Sequence, residues 1–307
     1  MNSPAHSLLT ADLVAVLVAV ADGAPLVLVT QGGSLLPSGP FRLSHHSMQA
    51  GMRDWVEQQT HHPLGYLEQL YTFADKDRSE IIDSHAISIS YLALTQKHAV
   101  NQAEASWQSW YDYFPWEDRR TEAPGLDEQI QQALRQWVEQ ASGKTGHLRA
   151  DRVAICFGLD GHAWNEDLVL QRYELLYEAN LVPEARRRLG GEGVLVPGKD
   201  MGHDHRRILA TGIARLRAKI KYRALVFELM PAAFTLFQLQ KAVEAIAGCS
   251  LHKQNFRRLI EQQQLVEETG ALSTDGPGRP AKLFRFRPDV LMERAMAGSK
   301  LPMARSR

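Results

Sequence analysis

The sequence Phe234-Thr235-Leu236-Phe237-Gln238-Leu239 lies near the start of the region from Pro231 to Phe286, whose pattern is the most informative about the architecture of the chain. Thr235 stands before an apolar run of helical period, and threonine is a residue type that caps the amino termini of helices. The run ends at Gly248, and Ser250 opens a second predicted helix. That helix carries polar and basic side chains: His252, Lys253, Gln254, Asn255, Arg257 and Arg258.

A hairpin is predicted after these two helices, from Leu265 to Phe286, with glycine and proline in its turn and Arg279 and Lys282 at its tip. A helix, a short turn, a basic helix and such a hairpin follow the order of a winged helix-turn-helix. Arginine pairs with guanine and asparagine or glutamine with adenine, while lysine contacts phosphate. The predicted DNA-binding residues are Thr235, Ser250, His252, Lys253, Gln254, Asn255, Arg257, Arg258, Arg279 and Lys282. The alternative is a solvated helix face.

The composition is that of an ordinary globular protein with room for two domains: 307 residues and no net charge. The local charge is uneven, because residues 205–223 contain seven lysines and arginines and no acid. These residues predict a basic helix with an apolar stripe of Ile208, Ile213, Leu216 and Ile220. The helix could pack between domains or subunits, or contact phosphates directly, and the sequence leaves both roles open.

The two cysteines, Cys156 and Cys249, lack CxxC spacing, which excludes a disulfide framework and a zinc ribbon and fits a reducing cytoplasm. The apolar run from Leu13 to Val20 is too short to span a bilayer and has no basic leader. We therefore expect a cytoplasmic protein without a signal peptide and without a membrane partner.

The amino-terminal half predicts a sheet with one helix. Asp22-Gly23 predicts a hairpin between β-rich runs, and residues 44–60 predict a helix. Strands are expected at 64–73, 86–94 and 151–158, and helices at 126–141 and 165–179. A polar, tryptophan-rich insertion is expected at 101–150, whose aromatic residues we interpret as a packed insertion or a dimer contact.

The loop and helix around residues 39–60 follow the Nudix motif G-x5-E-x7-R-E-U-x-E-E-x-G-U, in which U is a bulky apolar residue. The motif positions that this chain keeps are Gly39, Arg53, Asp54 (for Glu), Trp55 (for U) and Glu57. His45 and Gln58 replace two of the four glutamates, and Thr60 replaces the glycine. Because several carboxylates are needed to hold a metal that activates water, we predict no catalytic residue and no metal site. The alternative is a plain loop and surface helix, in which Arg53 pairs with Glu57.

Several segments together resemble the Nudix-related transcriptional regulators of NAD metabolism, of the NrtR type and closest to the longer NadQ-type branch. The segments are 66–73, Asp75-Lys76-Asp77-Arg78, 87–94, Phe227-Glu228-Leu229-Met230-Pro231, 253–258 and 278–286. The insertion at 101–150 and residues 164–173 favour the longer branch. The resemblance implies an α+β protein, in which a Nudix-like α/β/α sandwich domain precedes a carboxyl-terminal winged helix-turn-helix domain.

The resemblance also implies a dimeric repressor of NAD biosynthesis or salvage genes that binds double-stranded operator DNA. Its Nudix-like domain would sense an adenine nucleotide (NAD, ADP-ribose or ATP) as effector, with no cofactor required. The predicted ligand-binding residues are Gly39, Arg53, Asp54, Glu57, Asp77 and Arg78. The rival hypotheses are an active Nudix hydrolase of ADP-ribose-like diphosphates with an accessory nucleic-acid domain, and a bridging protein whose head binds protein.

The expected domain boundaries follow from these assignments. The Nudix-like sensor takes residues 8–200, including the helical insertion at about 101–150. A basic linker helix at 205–223 leads to the winged helix domain at 224–295, and residues 296–307 are expected to form a mobile tail.

Overall fold

The computed structural model describes residues 9–61, 64–74, 85–97, 105–121, 125–221, 225–273 and 280–287. The expected mobile tail, Asp77, Arg78 and Arg279 lie outside the described residues. Within these ranges, no helix combines the length and the apolar character needed to cross a membrane.

A six-stranded sheet forms the centre of the amino-terminal domain. Its strands are β1 (Leu9–Ala21), β2 (Ala24–Thr30), β3 (Ser38–Pro40), β4 (Tyr66–Phe73), β5 (His85–Leu94) and β6 (Ala105–Ser109). The order is β4-β5-β1-β2-β6, with β3 beside the first part of β1. Only β1 and β5 pair in parallel. Asp22 and Gly23 both have positive φ angles, 53° and 70°, as a type I′ hairpin turn requires, so the predicted hairpin is confirmed.

The alternation of side chains along β1 gives the sheet two apolar faces. Leu13 and Leu17 pack beneath helix α1 (Met48–Thr60), whose Met52 is fully buried. Val14 and Val16 face the opposite side, where the remaining helices pack. The sheet therefore lies between helices on both sides, and the predicted α/β/α sandwich is confirmed. Helix α1 begins four residues later than predicted because Ser47 is its N-cap, accepting a hydrogen bond from the Ala50 amide at 3.1 Å.

Between β6 and the carboxyl-terminal domain, the described residues form five α-helices: α2 (Leu126–Glu139), α3 (Gly143–Phe157), α4 (Val169–Glu178), α5 (Pro183–Leu189) and α6 (His205–Ile220). The predicted strand at 151–158 is wrong, because these residues complete α3 up to Gly158, which ends the helix with φ 64°. Val153, Ala154 and Cys156 are buried on one helical side, and a short apolar run of this kind does not distinguish strand from helix. The insertion also contains a strand that was not expected, since β6 pairs with β2.

Helix α6 is the basic helix predicted from the charge pattern, and it lies in the core. Gly212 lets it approach the sheet, since a Cβ atom there would stand 2.9 Å from Val16 Cγ1. Arg206 is fully buried and pairs with Glu184 at 3.1 Å, while Lys219 pairs with Glu68 of β4. Of the two roles considered for this helix, packing is the one that the structure supports.

The carboxyl-terminal domain contains helices α7 (Leu236–Ala247) and α8 (Lys253–Gln262) and a hairpin of β7 (Val266–Ser273) and β8 (Ala281–Phe286). The predicted N-cap is confirmed as a capping box, in which Thr235 and Gln238 exchange hydrogen bonds of 2.7 and 3.1 Å. The predicted end of α7 at Gly248 is confirmed by its φ of 73°. Ser250 does not open α8, because His252 is the N-cap of that helix.

The two domains share one hydrophobic core. A single cluster of buried side chains includes Val16 of the sheet, Leu216 of α6, Val243 of α7 and Phe256 of α8. The aromatic residues of the insertion belong to the same cluster, as expected for a packed insertion: Trp110, Tyr111, Tyr113, Phe114 and Trp116. The carboxyl-terminal domain is therefore packed against the body of the chain.

His205, at the start of α6, makes the fold sensitive to pH. Its imidazole is fully buried, and Nδ1 accepts a hydrogen bond from the Leu36 amide at 3.0 Å. Burial, together with the charge of His203, lowers the pKa of His205 from 6.5 to about 3. In the unfolded chain the same group takes up a proton below about pH 6.5, so stability is complete above that pH and declines towards pH 3.

We expect protonation of His205 in the unfolded chain to cost the folded state about 2 kcal/mol between pH 8 and pH 5, because pH 5 lies about 1.5 units below the unfolded-state pKa and each unit is worth about 1.4 kcal/mol. Urea unfolding of the wild type and of His205→Gln at both pH values measures this. The variant should lose less stability than the wild type on acidification, by about that amount. Equal losses in the two proteins would contradict the assignment.

Candidate DNA-binding surface and ligand site

The outer face of α8 presents a row of polar and basic side chains. Phe256 and Ile260 are buried against α7 and the hairpin, which turns the opposite face outward. The exposed residues of this row are His252, Lys253, Gln254, Arg257 and Arg258, and Asn255 is half-buried. The structure therefore brings the predicted residues of the second helix onto one continuous outer surface.

The cations of α8 differ from those of α6 in their partners. Among the described residues, no carboxylate forms an ion pair with Lys253, Arg257 or Arg258. On α6, Arg206 and Arg217 both form buried ion pairs. An arginine without an internal partner keeps its five donors available for phosphate or guanine. The exposed face of α8 therefore offers cations that could contact phosphate or guanine, whereas Arg206 and Arg217 of α6 do not.

The other predicted DNA contacts occupy different surroundings. Thr235 is buried, and its hydroxyl accepts the Gln238 amide as part of the capping box. Ser250 is exposed in the turn between α7 and α8. Lys282 is exposed on β8, where its Nζ pairs with Glu268 of β7 at 2.7 Å. The Thr235 side chain thus caps α7, whereas Ser250 and Lys282 are exposed to solvent.

Of the predicted ligand residues, the four that the structure describes lie along β3 and α1. Asp54 and Glu57 are exposed on the helix. Arg53 is exposed as well, and its guanidinium donates to the carbonyl oxygens of Leu64 and Gly65. The considered pairing of Arg53 with Glu57 is not present among the described residues.

Gly39 has a packing role that the motif does not reveal. A Cβ atom at this position would stand 2.3 Å from Cε2 of Trp55, whose indole Nε1 donates to the Pro40 carbonyl at 3.0 Å. Gln59 adds two hydrogen bonds to the backbone of Ser38, at 2.7 and 3.1 Å. The loop before the helix is therefore fixed to α1 by Trp55 and Gln59.

Two residues that sequence reasoning missed hold the same loop from the other side. His205 accepts the Leu36 amide, as described above, and the Tyr113 hydroxyl donates to the Gly33 carbonyl at 2.7 Å. Both partners are distant in sequence, and a single histidine or tyrosine gives no signal of such a contact. The loop at 31–40 is thus clamped between α1, α6 and the insertion.

The residues at the altered motif positions do not converge. His45 lies before α1, where its Nδ1 accepts the Arg42 amide at 3.1 Å, and Gln58 is exposed on the helix. Among the described residues, no group of three histidine, cysteine, aspartate or glutamate side chains could hold a metal ion.

Part of this sequence matches known proteins. Residues 226–286 match the family model of the NrtR DNA-binding winged helix domain. An 87-residue stretch is 44% identical to the ADPR responsive transcriptional repressor NtrR of Acinetobacter baylyi, covering 28% of this chain and 34% of that protein. The chain thus matches about a third of the length of this relative.

Solved structures resemble the chain over almost its whole length. NrtR of Shewanella oneidensis, crystallised in complex with a 27mer DNA, has a TM-score of 0.55 at 19% identity, covering 92% of this chain and 95% of that one. A MutT/nudix family protein of Enterococcus faecalis has a TM-score of 0.52 at 16% identity, with coverages of 94% and 90%. The predicted combination of a Nudix-like domain and a winged helix domain is confirmed, as is the resemblance to NrtR-type regulators. The finer assignment to the longer branch stays a prediction.

We expect Gly39→Ala to destabilise the protein by about 1–3 kcal/mol, because the added methyl group must displace the Trp55 ring. Gly65→Ala is the matched control, since the nearest atom to a Cβ there is the Leu94 carbonyl oxygen at 3.9 Å. Urea unfolding measures both variants, and the control should stay within about 0.5 kcal/mol of the wild type. Equal stability of the two variants would contradict the packing role of Gly39.

Proposed function

We propose that the chain is a DNA-binding transcriptional repressor of NAD biosynthesis or salvage genes. The observation that carries this proposal is the unpaired cationic face of α8 within a segment that matches an NrtR winged helix domain. A recognition helix inserts into the major groove, where arginine and asparagine side chains read base edges. The wing supports it by contacting the backbone, through Lys282 and the predicted Arg279.

The repressor acts as a homodimer in this proposal. Two winged helix domains bind half-sites about one helical turn apart or a multiple of it. Dimerisation also doubles the number of phosphate contacts, which raises affinity and salt dependence together.

An adenine nucleotide is the effector, and ADP-ribose is the first candidate, because the Acinetobacter relative is named an ADPR-responsive repressor. NAD and ATP are the competing candidates. The residues proposed to meet the ligand are Gly39, Arg53, Asp54, Glu57, Asp77 and Arg78. Arg53, Asp54 and Glu57 lie along one exposed stretch of α1, where the guanidinium of Arg53 suits the diphosphate and the two carboxylates suit the ribose hydroxyl groups of a nucleotide.

The Nudix-like domain is proposed to bind without hydrolysis. The support is the replacement of two motif glutamates by His45 and Gln58, since a hard metal needs several anionic oxygens. The rival function is hydrolysis of ADP-ribose-like diphosphates.

For DNA binding, we expect Arg258→Ala and Arg257→Ala to weaken the affinity of the full chain for a DNA fragment that the wild-type protein enriches from a random pool. A residue that contacts only phosphate should lower the slope of log affinity against log salt by about one unit, while a base-reading residue should cost about 1–3 kcal/mol at one base position. Arg215→Ala removes an exposed arginine of α6 and is the matched control. Binding of both α8 variants at wild-type affinity would refute the proposed surface.

For the effector, we expect ADP-ribose at 100 times its dissociation constant to stabilise the chain by about 2.7 kcal/mol. Thermal unfolding with ADP-ribose, NAD or ATP ranks the candidates. An accompanying assay with Mg²⁺ or Mn²⁺ follows cleavage of ADP-ribose. Multiple turnovers that disappear in Glu57→Gln would establish the hydrolase in place of the non-catalytic sensor.

A further inference from the structure

The carboxyl-terminal end of α7 is capped by the other domain. The last carbonyl groups of a helix have no partner within it. The Ala245 carbonyl accepts the Tyr111 hydroxyl at 2.7 Å, and the Ile246 carbonyl accepts Arg217 Nε at 2.8 Å. Just beyond the helix, the Gly248 carbonyl accepts the Arg119 amide at 2.7 Å. The groups that terminate this helix of the winged domain therefore come from the insertion and from α6.

Arg217 is held rigidly while it makes this contact. It is fully buried, and its Nη1 donates to Glu117 Oε2 at 2.6 Å and to the Glu166 carbonyl at 3.1 Å. Its Nη2 donates to the Glu117 carbonyl at 3.1 Å. Glu117 is held in turn by Arg172 of α4, at 2.6 and 2.8 Å. Arg217, the donor to α7, is thus fixed in position by Glu117, and Glu117 is fixed by Arg172 of α4.

The turn after α7 fits against this network without spare room. Gly248 has a φ of 73°, and a Cβ atom there would lie 2.3 Å from the Glu117 carbonyl oxygen and 2.7 Å from Arg217 Nη2. Lys253, the first residue of α8, follows Gly248 after only four intervening residues. Any displacement of the network is therefore passed directly to the amino-terminal end of the proposed recognition helix.

We propose that Tyr111, Glu117, Arg119 and Arg217 form a joint that sets the orientation of α8 relative to the sensor, and so the distance between two recognition helices in a dimer. The proposal rests on the proposed function and assigns Tyr111 and Arg217 as positioning residues for DNA recognition. If the network served only the stability of the fold, its loss would not alter which spacing of half-sites the protein prefers.

Two pairs of variants separate positioning from stability. Tyr111→Phe removes the hydroxyl that caps Ala245, and Tyr113→Phe is its control, because that buried hydroxyl donates to Gly33 instead. Arg217→Met removes the contact to Ile246 and leaves Glu117 paired with Arg172. Arg206→Met is its control, since it removes an equally buried arginine of α6 that pairs with Glu184. The tyrosine pair keeps the test valid if an arginine variant does not fold.

The first readout is the spacing preference of the full chain. A DNA fragment enriched by the wild type from a random pool is rebuilt with about five extra base pairs, half a helical turn, between its half-sites. We expect the wild type and both controls to lose affinity by about tenfold or more on this insertion, while Arg217→Met and Tyr111→Phe lose clearly less. An unchanged loss in both joint variants would overturn the proposal.

The second readout needs no DNA. In hydrogen exchange, amides of residues 249–262 should exchange at least about fivefold faster in Arg217→Met than in Arg206→Met, with a smaller increase in Tyr111→Phe over Tyr113→Phe. Equal exchange in each pair would also overturn the proposal. If the pool yields no fragment with paired half-sites, the proposed function fails in its dimeric form, and hydrogen exchange still decides whether the joint exists.

Discussion

The structure depends most on one buried carboxylate, Glu117, which lies between the guanidinium groups of Arg172 and Arg217. All three side chains are fully buried. Burial raises the pKa of Glu117, but the two arginines outweigh it, and the net effect is a lowered pKa. A buried anion of this kind is costly unless its hydrogen bonds are complete, and removing one member of such a pair typically costs about 3–5 kcal/mol. Glu117 ends the short 3₁₀ turn Pro115–Glu117, so the packing of the insertion, α4 and α6 depends on this one turn.

The triad carries one more positive than negative charge, and carbonyl groups offset the excess. Arg172 donates to the carbonyl oxygens of Cys156 and Asn165, both at 2.9 Å. Arg217 donates to Ile246, at the carboxyl-terminal end of α7, which is the negative end of the helix dipole. The winged helix domain therefore helps to stabilise Arg217 of the amino-terminal domain. This explains why the two domains share a polar contact inside one apolar core.

The sequence predicted correctly those elements that are determined by residues close together in the chain. Asp22-Gly23 fixed the hairpin because those residues accept positive φ angles, and Thr235 and Gly248 marked the two ends of α7. The strand predicted at 151–158 was wrong, because a short apolar segment fits both the helical and the strand periodicity. Only its packing against the rest of the chain distinguishes the two. The partners of Glu117 could not be predicted at all, since they lie 55 and 100 residues further along the chain.

The same contrast applies to the candidate sites. Residues 205–223 contain seven lysines and arginines and no acid, yet Arg206 and Arg217 are buried in ion pairs, whereas the shorter basic row of α8 is exposed. Charge density in a sequence thus does not identify a DNA-binding face, because it does not show which cations find carboxylates within the fold. The motif around Gly39 indicated the loop at 31–40 as part of a candidate ligand site, but gave no sign of His205 and Tyr113, which hold that loop from distant parts of the chain.

The shared core limits how a sensor could control DNA binding. A ligand shifts an equilibrium only by its difference in affinity for the two states. Swinging the winged helix domain away from the body would uncover Glu117 and two arginines together with the apolar surface of α7, so a ligand would have to supply that whole cost. A small change in the position of α6 or of the insertion costs far less, because it keeps Arg217 and Tyr111 attached to α7 while it tilts α8. In the proposed homodimer, the two recognition helices would meet half-sites at a fixed distance on DNA, so a modest tilt in both subunits would move those helices out of register.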